Sequence, residues 1–268
     1  MTLAVGFFDG VHLGHQAILR GADAALTFRA HPLSVLRPEC APPLLMPFES
    51  KVAAIRALGV GRVVALDFTR AFADLSPEAF ASSLRAMGAD DVRCGANWRF
   101  GKDGAGDAAF LARSGFRVTV VPYAEHGGEI VSSTRIRSAL AAARLDDVAA
   151  MLSRAWSAAG EAFRGKGLGR EIGFPTLNLR LAPDLAVPPR GVYAVEARGT
   201  RAVANFGVAP TLGERAWEEP VLEVHFPGAA PEVKEGERVE VAFLRFLRPE
   251  RKFASIDELK AQIARDMV

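Results

Sequence analysis

Two histidines near the beginning of the sequence have a spacing that suits phosphate chemistry. His12 and His15 follow a short apolar run and lie in segment 8–15, at the expected start of a helix. Histidines three positions apart at a helix start share one side of it, so both imidazoles can reach one phosphate. A helix start also offers unpaired N–H donors, and Gly10 and Gly14 let an anion approach the backbone closely. We predict a phosphate site here; the alternatives are a metal pair or two surface histidines.

A second candidate for anion binding is the run of hydroxyl and guanidinium side chains at positions 132–137. Ser132, Ser133 and Thr134 are good caps for a helix start, and they leave hydroxyl and N–H groups for an anion. Arg135 and Arg137 add forked cationic donors that suit a phosphate. A capped surface helix without a ligand is the alternative interpretation.

A glycine-spaced loop in the second half of the chain is the third candidate. Gly165, Gly167 and Gly169 lie among basic residues, and backbone N–H groups of such a loop can surround phosphates. Thr176 and Asn178 are two positions apart, so an extended segment places both side chains on one side. Hard oxygen ligands of this kind suit Mg²⁺, and we predict that these two residues bind it.

The elements that must position the first two candidates alternate between strand and helix patterns. Such alternation is typical of an α/β fold with a parallel sheet, and ligands bind at the carboxyl ends of its strands. We predict a first domain over residues 1–155. Its predicted strands are Leu3–Phe8, Ala25–Phe28, Arg62–Phe68, Asp91–Gly95 and Phe116–Pro122, and its predicted helices include Glu49–Leu58, Pro77–Met87, Asp107–Arg113 and Thr134–Leu152.

After Trp156 the pattern changes to segments that alternate with period two and are separated by Gly and Pro. This change predicts a second domain over residues 156–268, an antiparallel barrel or sandwich with a closing helix. Ser255 and Glu258 form a capping-box pattern at the start of that helix. The predicted elements are the strands Gly191–Arg198, Arg201–Val208, Pro220–Phe226 and Arg238–Leu247 and the helix Ser255–Met267.

Composition excludes several classes of protein. The chain has 268 residues, a net charge of +2, 50% hydrophobic residues and 24% charged residues, which excludes a disordered chain, a collagen-like fibre and a strongly basic nucleic-acid tail. Charges interrupt every apolar stretch before it reaches the length of a membrane span, so we expect neither a membrane nor a nucleic-acid partner. Cys40 and Cys94 are too few for a disulfide framework, and we expect reduced thiols and a cytoplasmic location.

The motifs of the first half resemble those of the bacterial bifunctional riboflavin kinase/FAD synthetase family. Segment 8–16 is similar to its FDGVHxGHQ signature. The further matches, in order, are Thr27–Phe28 with His31–Pro32 for TFxPHP, Asp67–Thr69 with Leu75–Phe80 for DFT and LSPEEF, Gly95–Gly101 for GENFRFG, and Ser132–Arg137 for SSTRIR. The resemblance implies a Rossmann-like nucleotidylyltransferase domain that makes FAD from FMN and ATP. It implies that His12 and His15 are catalytic, that segment 132–137 binds the ATP phosphates, and that Asn97 and Arg99 lie in the loop around flavin or nucleotide.

The second half resembles the riboflavin kinase module of the same family. Segment 165–178 is similar to its GxGxGRxxGFPTxN motif, in which the PTxN residues hold Mg·ATP, and segment 243–253 is similar to its FLRPExKF motif. Strand alternation places Glu223 and His225 on one face, away from the core. The resemblance implies that Glu223 is the general base for the ribityl hydroxyl; an exposed strand carboxylate is the alternative.

Several positions depart from the family pattern. Phe7 stands where the family usually has Asn, and Arg29 and Ala30 stand where it has an acidic residue and proline. Segments 209–212 and 227–231 replace its NPTF and DxDLYG loops. The span between the first two strands leaves room for only a short helix.

The hypothesis that follows is a bifunctional enzyme that acts on riboflavin, FMN and ATP with Mg²⁺. Two alternatives stay open. One is a riboflavin kinase whose adenylyltransferase half is degenerate, and the other is a flavin-binding regulator without turnover. Formation of FMN and FAD distinguishes the three, and the sequence does not predict the oligomeric state.

Overall fold

The computed structural model describes residues 1–165, 173–207, 220–251 and 253–267. Contacts between Cα atoms divide the chain into two compact units, Met1–Arg135 and Ile136–Val268. The domain boundary predicted after residue 155 stays a prediction. Across the described part of the chain, no helix combines the length and the apolar character that crossing a membrane requires.

The first unit contains a five-stranded parallel sheet in the order β3-β2-β1-β4-β5, with β1 at its centre. Leu3 of β1 lies opposite Ala24 on one side and Val92 on the other. The strands are β1 Thr2–Val5, β2 Ala24–Phe28, β3 Arg62–Leu66, β4 Asp91–Gly95 and β5 Arg117–Val121, and a hairpin of β6 Glu125–His126 and β7 Glu129–Ile130 follows. All five predicted strands of this half are confirmed, with β1, β3 and β5 ending before their predicted limits.

Helices cover both faces of this sheet, and alternate residues of β1 pack against them on opposite faces. Leu3 belongs to a buried cluster with Leu84 and Leu111, whereas Ala4 belongs to a second cluster with Leu19 and Ile55. The helices are α1 Leu13–Leu19, α2 Leu33–Leu36, α3 Phe48–Ala57, α4 Arg70–Ala73, α5 Pro77–Ala86 and α6 Ala108–Arg113, with 3-10 turns at Pro38–Cys40 and Lys102–Gly104. Helix α1 is short, as the short span between the first two strands predicted.

Helix α5 shows how local sequence sets these boundaries. The Ser76 hydroxyl accepts the Ala79 N–H at 3.2 Å, and Pro77 occupies the first helical position. Just after the helix ends, Gly88 adopts a φ of 86°, a left-handed conformation that favours glycine. The predicted helix and both of its end signals are confirmed.

The single helix predicted over Thr134–Leu152 is wrong, because two helices occupy this range. They are α7 Ser133–Ala141 and α8 Leu145–Leu152. Ala143 lies between them with a φ of 53°, and its N–H donates to the Leu140 carbonyl at 2.9 Å. A non-glycine residue in this conformation has no composition signal, so the break was invisible in an alanine-rich segment.

The second unit contains a closed antiparallel barrel in the order β10-β11-β12-β9-β8-β13, which β10 and β13 close. A barrel, not a sandwich, is therefore the correct alternative, and the α/β fold class with its second antiparallel module is confirmed. The strands are β8 Trp156–Phe163, β9 Thr176–Leu181, β10 Gly191–Ala197, β11 Thr200–Gly207, β12 Val221–His225 and β13 Arg238–Arg248, and α9 Ile256–Asp266 follows.

Three contacts secure the last helix. The Ser255 hydroxyl accepts the Glu258 N–H at 3.2 Å, and the Glu258 carboxylate accepts the Ala254 N–H at 3.1 Å, so the predicted capping signal is confirmed. Arg248, at the end of β13, pairs with Asp266 of the helix at 2.7 Å. The pair connects the helix to the last strand of the barrel.

Candidate active sites

The loop that follows β1 adopts an uncommon backbone conformation. Phe8, Gly10 and Val11 have φ values of 58°, 81° and 44°. A β-branched residue at positive φ is rare, and such strain persists only where surrounding contacts hold it. Because the loop lies at the carboxyl end of the central strand, it occupies the place where parallel sheets bind ligands.

Buried hydrogen bonds hold this loop in place. Both carboxylate oxygens of Asp9 accept the Leu45 N–H, at 2.9 and 3.1 Å. The Gln16 side-chain amide donates to the Val11 carbonyl at 3.0 Å. The Ser133 hydroxyl donates to the Asp9 carbonyl at 3.0 Å, which brings the start of α7 against the loop. The two predicted phosphate-binding segments of the first unit therefore lie together.

His12 is both a candidate catalytic residue and the N-cap of α1. Its Nδ1 accepts the His15 N–H at 3.4 Å, and the two imidazole rings stack with centroids 3.6 Å apart. Since Nδ1 is the acceptor, the proton of the neutral ring is on Nε2. A Cβ added at Gly14 would lie 3.2 Å from the His12 ring, so this glycine makes room for the imidazole. The prediction that both histidines share one side of the helix is confirmed.

Both histidines are held in the neutral form. Burial lowers the pKa of His12 to about 4. The pKa of His15 is well below its usual value because of burial, then the neighbouring His12, then Lys51. The Nδ1 atom of His15 is buried and has no hydrogen-bond partner within the described residues. At neutral pH the pair therefore offers polar N–H groups and no charge.

Lys51 of α3 is a buried residue of this site that the sequence patterns did not identify. Its ammonium donates to the carbonyls of Phe7 at 3.1 Å and Phe28 at 2.8 Å, and it lies 4.0 Å from the centroid of the Phe7 ring. Burial lowers its pKa to about 8, and the nearby Asp9 carboxylate opposes this shift. Lysines on helices are normally exposed, so no sequence signal distinguished this one.

The segment 132–137 divides between two roles. The Ser132 hydroxyl accepts the Arg135 N–H at 3.2 Å and so caps the helix, as predicted. The Arg135 guanidinium donates to the carbonyls of His126 at 2.9 Å and Glu129 at 2.8 Å and also pairs with the Glu129 carboxylate. These donors hold the β6–β7 hairpin, and a role of Arg135 toward a phosphate stays a prediction. Thr134 and Arg137 follow within α7.

Asn97 and Arg99 lie in the loop after β4, whose carboxyl end is beside that of β1. Both are exposed, and the Arg99 guanidinium lies 3.6 Å from the Asp107 carboxylate. Their proximity to the ligand-binding edge of the sheet follows from strand order. Their roles toward flavin or nucleotide stay predictions.

In the second unit, cross-strand pairing collects the predicted polar side chains on one face. Thr176 of β9 lies opposite His225 of β12, and Asn178 lies opposite Glu223. The Thr176 hydroxyl donates to the Phe174 carbonyl at 3.0 Å and lies 3.2 Å from His225 Nδ1. The two neighbours of Glu223 along β12 are buried, as the alternation predicted.

A second carboxylate lies close to Glu223, although sequence reasoning did not single it out. Asn205 of β11 pairs with Glu223, and its side-chain amide donates to the Glu250 carboxylate at 3.1 Å. A Cβ added at Gly207 would overlap with that same carboxylate. Burial, and then the charge of Glu250, raise the pKa of Glu223.

Gly165 leads directly to this polar face. A Cβ at this position would overlap with the Asn178 side-chain amide, so the residue must be glycine for Asn178 to keep its place. Two further predicted phosphate-binding glycines, Gly167 and Gly169, lie outside the described residues. Segment 209–212, which departs from the family's NPTF motif, also lies outside the described residues.

The first unit is a three-layered α/β module that carries the stacked histidines, and the second is a closed barrel with a polar strand face. Together they define a nucleotide-using transferase with two modules. The family model of FAD synthetase matches residues 1–135, and that of riboflavin kinase matches residues 152–268. The chain belongs to the bifunctional riboflavin kinase/FMN adenylyltransferase family. It is therefore an enzyme with a kinase module and a nucleotidyltransferase module, and the family resemblance of both halves is confirmed.

Curated relatives named bifunctional riboflavin kinase/FMN adenylyltransferase match along almost the entire chain. The protein from Listeria monocytogenes is 34% identical and that from Escherichia coli 35%, each over 99% of this chain and 90% of the relative. The Bacillus subtilis relative is 33% identical with the same coverage. A solved structure described as a macrolide-efflux protein from Streptococcus pneumoniae is 30% identical, with a TM-score of 0.83 over 99% of this chain and 91% of that one.

Proposed function

We propose that this chain phosphorylates riboflavin to FMN at the barrel and adenylylates FMN to FAD at the parallel sheet. The observation that carries the proposal is that each unit has its own set of phosphate-directed groups. The first has the stacked His12 and His15 beside the start of α7, and the second has Thr176, Asn178 and Glu223 on one barrel face. A single-activity enzyme needs only one of the two sets.

In the kinase reaction, the 5′-hydroxyl of riboflavin attacks the γ-phosphorus of ATP, and the bond to the β-phosphate oxygen breaks to release ADP. Glu223 accepts the hydroxyl proton, and its raised pKa makes it a stronger base than an ordinary carboxylate. The neutral oxygens of Thr176 and Asn178, beside the Glu223 carboxylate, are the hard donor set that Mg²⁺ prefers, so these residues would hold the ion. An Mg²⁺ ion held there would neutralise charge on the ATP phosphates.

In the adenylyltransferase reaction, a phosphate oxygen of FMN attacks the α-phosphorus of ATP, and pyrophosphate leaves. The nucleophile belongs to the substrate, so no covalent bond to the protein forms. His12 donates its Nε2–H to the phosphate, and His15 lies directly beneath it. Catalysis here consists of positioning and electrostatic stabilisation. The start of α7, at Ser132, Ser133 and Thr134, adds N–H donors for the leaving phosphates.

The departures from the family pattern leave this site intact, which favours two activities over a kinase alone. Phe7 contributes its backbone carbonyl, which accepts the Thr27 hydroxyl at 2.8 Å as well as the Lys51 ammonium. Any side chain at position 7 supplies that carbonyl. Arg29 pairs with Asp67 at 3.4 Å on the surface, where its contribution to stability is small.

One product assay tests the proposal. We expect the purified chain, incubated with riboflavin, ATP and Mg²⁺, to form FMN, then FAD and pyrophosphate, which chromatography separates. Absence of both flavin products would overturn the proposal, and FMN without pyrophosphate would favour the kinase-only alternative. Flavin binding without turnover would favour the regulator.

A variant assigns the first reaction to its residue. Glu223→Gln should abolish FMN formation from riboflavin while riboflavin binding and FAD formation from supplied FMN continue. Unchanged FMN formation would refute Glu223 as the base. We also propose a cytoplasmic location, which the free thiols of Cys40 and Cys94 support.

A further inference from the structure

Lys51 is unusual because a buried cation is costly unless its surroundings compensate for lost hydration. Its exposed fraction is 3%, and no other lysine or arginine is buried within residues 1–165, 173–207, 220–251 and 253–267. Nothing in the helix pattern of α3 requires a lysine at this position, since Ile55 one turn later is an ordinary core residue. A methionine would fill the same volume without a charge. A function is therefore needed to explain the cation.

The contacts of the Lys51 ammonium lead to the strained loop that carries the catalytic histidines. Phe28 is the last residue of β2, and Phe7 opens the loop in which Phe8, Gly10 and Val11 have positive φ. By donating to both carbonyls, Lys51 ties the end of one strand to the loop after its neighbour. Charge-assisted hydrogen bonds of this kind are stronger than those between neutral groups.

The positive charge of Lys51 also lies near the two histidines, which carry no charge. His15 and His12 are neutral at physiological pH, and the positive charge of Lys51 contributes to the low pKa of His15. The other ionisable groups around the ammonium are Asp9, His31 and Arg29. The Asp9 carboxylate is buried, the His31 ring lies 4.8 Å from that of Phe7, and the exposed Arg29 guanidinium lies over the Phe48 ring, as the ammonium does. A polyphosphate substrate brings several negative charges to this neutral pair, and a nearby cation in a medium of low polarity stabilises them.

We propose that Lys51 is a positioning residue of the adenylyltransferase site: its ammonium fixes the loop through the carbonyls of Phe7 and Phe28 and places a positive charge behind His15. This inference rests on the proposed FAD-forming activity. Lys51 does not touch the substrate, because its side chain is enclosed and two of its donors are bonded to carbonyls. Its effect reaches the phosphates through the loop and through the electric field.

Titration of Lys51 separates this role from a merely structural one. Its pKa is about 8 in the folded chain against an ordinary value of 10.5, so above pH 8 the folded state loses a proton that the unfolded state keeps. Stability from this group therefore rises between pH 8 and pH 10.5, because the cost of a buried charge disappears. We expect FAD formation to fall as Lys51 loses its proton around pH 8, where this gain in stability begins. Activity lost while stability rises cannot result from unfolding.

The experiment compares three variants with the unaltered chain. Lys51→Met removes the charge and the donors but keeps the shape, Lys51→Arg keeps a charge that does not titrate, and Arg56→Met removes an exposed charge from the same helix. FAD formation from supplied FMN is measured between about pH 7 and about pH 9.5. FMN formation from riboflavin, in the other module, and thermal unfolding are measured in parallel.

We expect Lys51→Met to lower kcat for FAD formation about 10- to 100-fold, with FMN formation and Arg56→Met unchanged. We expect the unaltered chain to lose FAD formation with a midpoint near pH 8, and Lys51→Arg to remove that loss. If Lys51→Met does not fold, the pH profiles of the unaltered chain and of Lys51→Arg are sufficient to test the role of Lys51. Equal FAD formation by Lys51→Met, or identical profiles of the unaltered chain and Lys51→Arg, would overturn the role of Lys51 only. Absence of FAD with the unaltered chain would overturn the proposed activity itself.

Discussion

The imidazole rings of His12 and His15 stack with their planes inclined by 20°, and the Nδ1 atom of His12 accepts the His15 N–H. This hydrogen bond thus serves two purposes. It caps α1, and it fixes the proton of His12 on Nε2, the atom that remains available to a phosphate. Stacking at this distance favours neutral rings, since two imidazolium ions would repel each other.

The capping and catalytic roles of His12 can be separated by two substitutions. Asparagine is a good N-cap but has no imidazole, so His12→Asn should keep the stability of the first unit and lower FAD formation about 100-fold. His12→Ala should lose the same activity and, in addition, about 1 kcal/mol of unfolding free energy. Enzyme assays and thermal unfolding measure the two effects. Full FAD formation by His12→Asn would contradict a catalytic role.

Acid should destabilise the first unit through His12. The pKa of this residue is about 4 in the folded state against an ordinary value of 6.5, so below pH 6.5 the unfolded state takes up the proton first. Stability from this group is therefore complete above pH 6.5 and falls as the pH drops toward 4, by up to roughly 3 kcal/mol. Urea unfolding at several pH values measures this loss, and His12→Asn, which lacks the group, should show less of it. Equal acid sensitivity of both proteins would refute the assignment.

Gly165 should be essential to the kinase reaction because a side chain there displaces Asn178. We expect Gly165→Ala to raise KM for ATP and lower FMN formation about 10-fold, while FAD formation from supplied FMN is unchanged. Gly228→Ala is the matched control, since its added Cβ meets no atom within 4 Å. A Gly165→Ala protein with the kinetics of the control would show that Asn178 tolerates displacement.

Glu250 should influence the proton affinity of Glu223. Glu250→Gln keeps an oxygen for the Asn205 amide but removes a negative charge, so the pKa of Glu223 should fall. The acid limb of the pH profile for FMN formation then moves to lower pH, and added salt reduces the difference because Glu250 is exposed. Glu235→Gln removes an exposed charge elsewhere in the unit and should leave the limb in place. Superimposable profiles of the two variants would exclude the coupling.

The elements that sequence reasoning predicted are those whose signals are local. His12 and His15 could be placed on one side of a helix because three positions make nearly one turn. Glu223 and His225 could be placed together because side chains alternate along a strand. The convergence of segments 8–15 and 132–137 followed only from the family resemblance, since the hydrogen bond from Ser133 to Asp9 joins residues far apart in the chain.

The features that sequence reasoning missed depend on tertiary contacts. Strand β8 reads as an alanine-rich segment with a glycine inside it, and only the fold shows that a Cβ at Gly160 would lie 2.8 Å from the Leu179 Cβ. The burial of Lys51 and the approach of Glu250 to Glu223 likewise arise when separate elements pack. Residue type alone predicts exposure to solvent in both cases, because Lys and Glu are usually solvated.

The pairing of β8, the first barrel strand in the chain, with β13, the last, has a consequence for synthesis on the ribosome. Trp156 of β8 pairs with Phe243 of β13, whereas every strand of the parallel sheet lies before residue 122. The first unit can thus complete its sheet while the second is still being translated, in keeping with the tendency of domains to fold in order from the N-terminus. Strand β8 must wait, with one edge unpaired, until almost the whole chain has emerged. That interval is when the nascent protein is most exposed to aggregation.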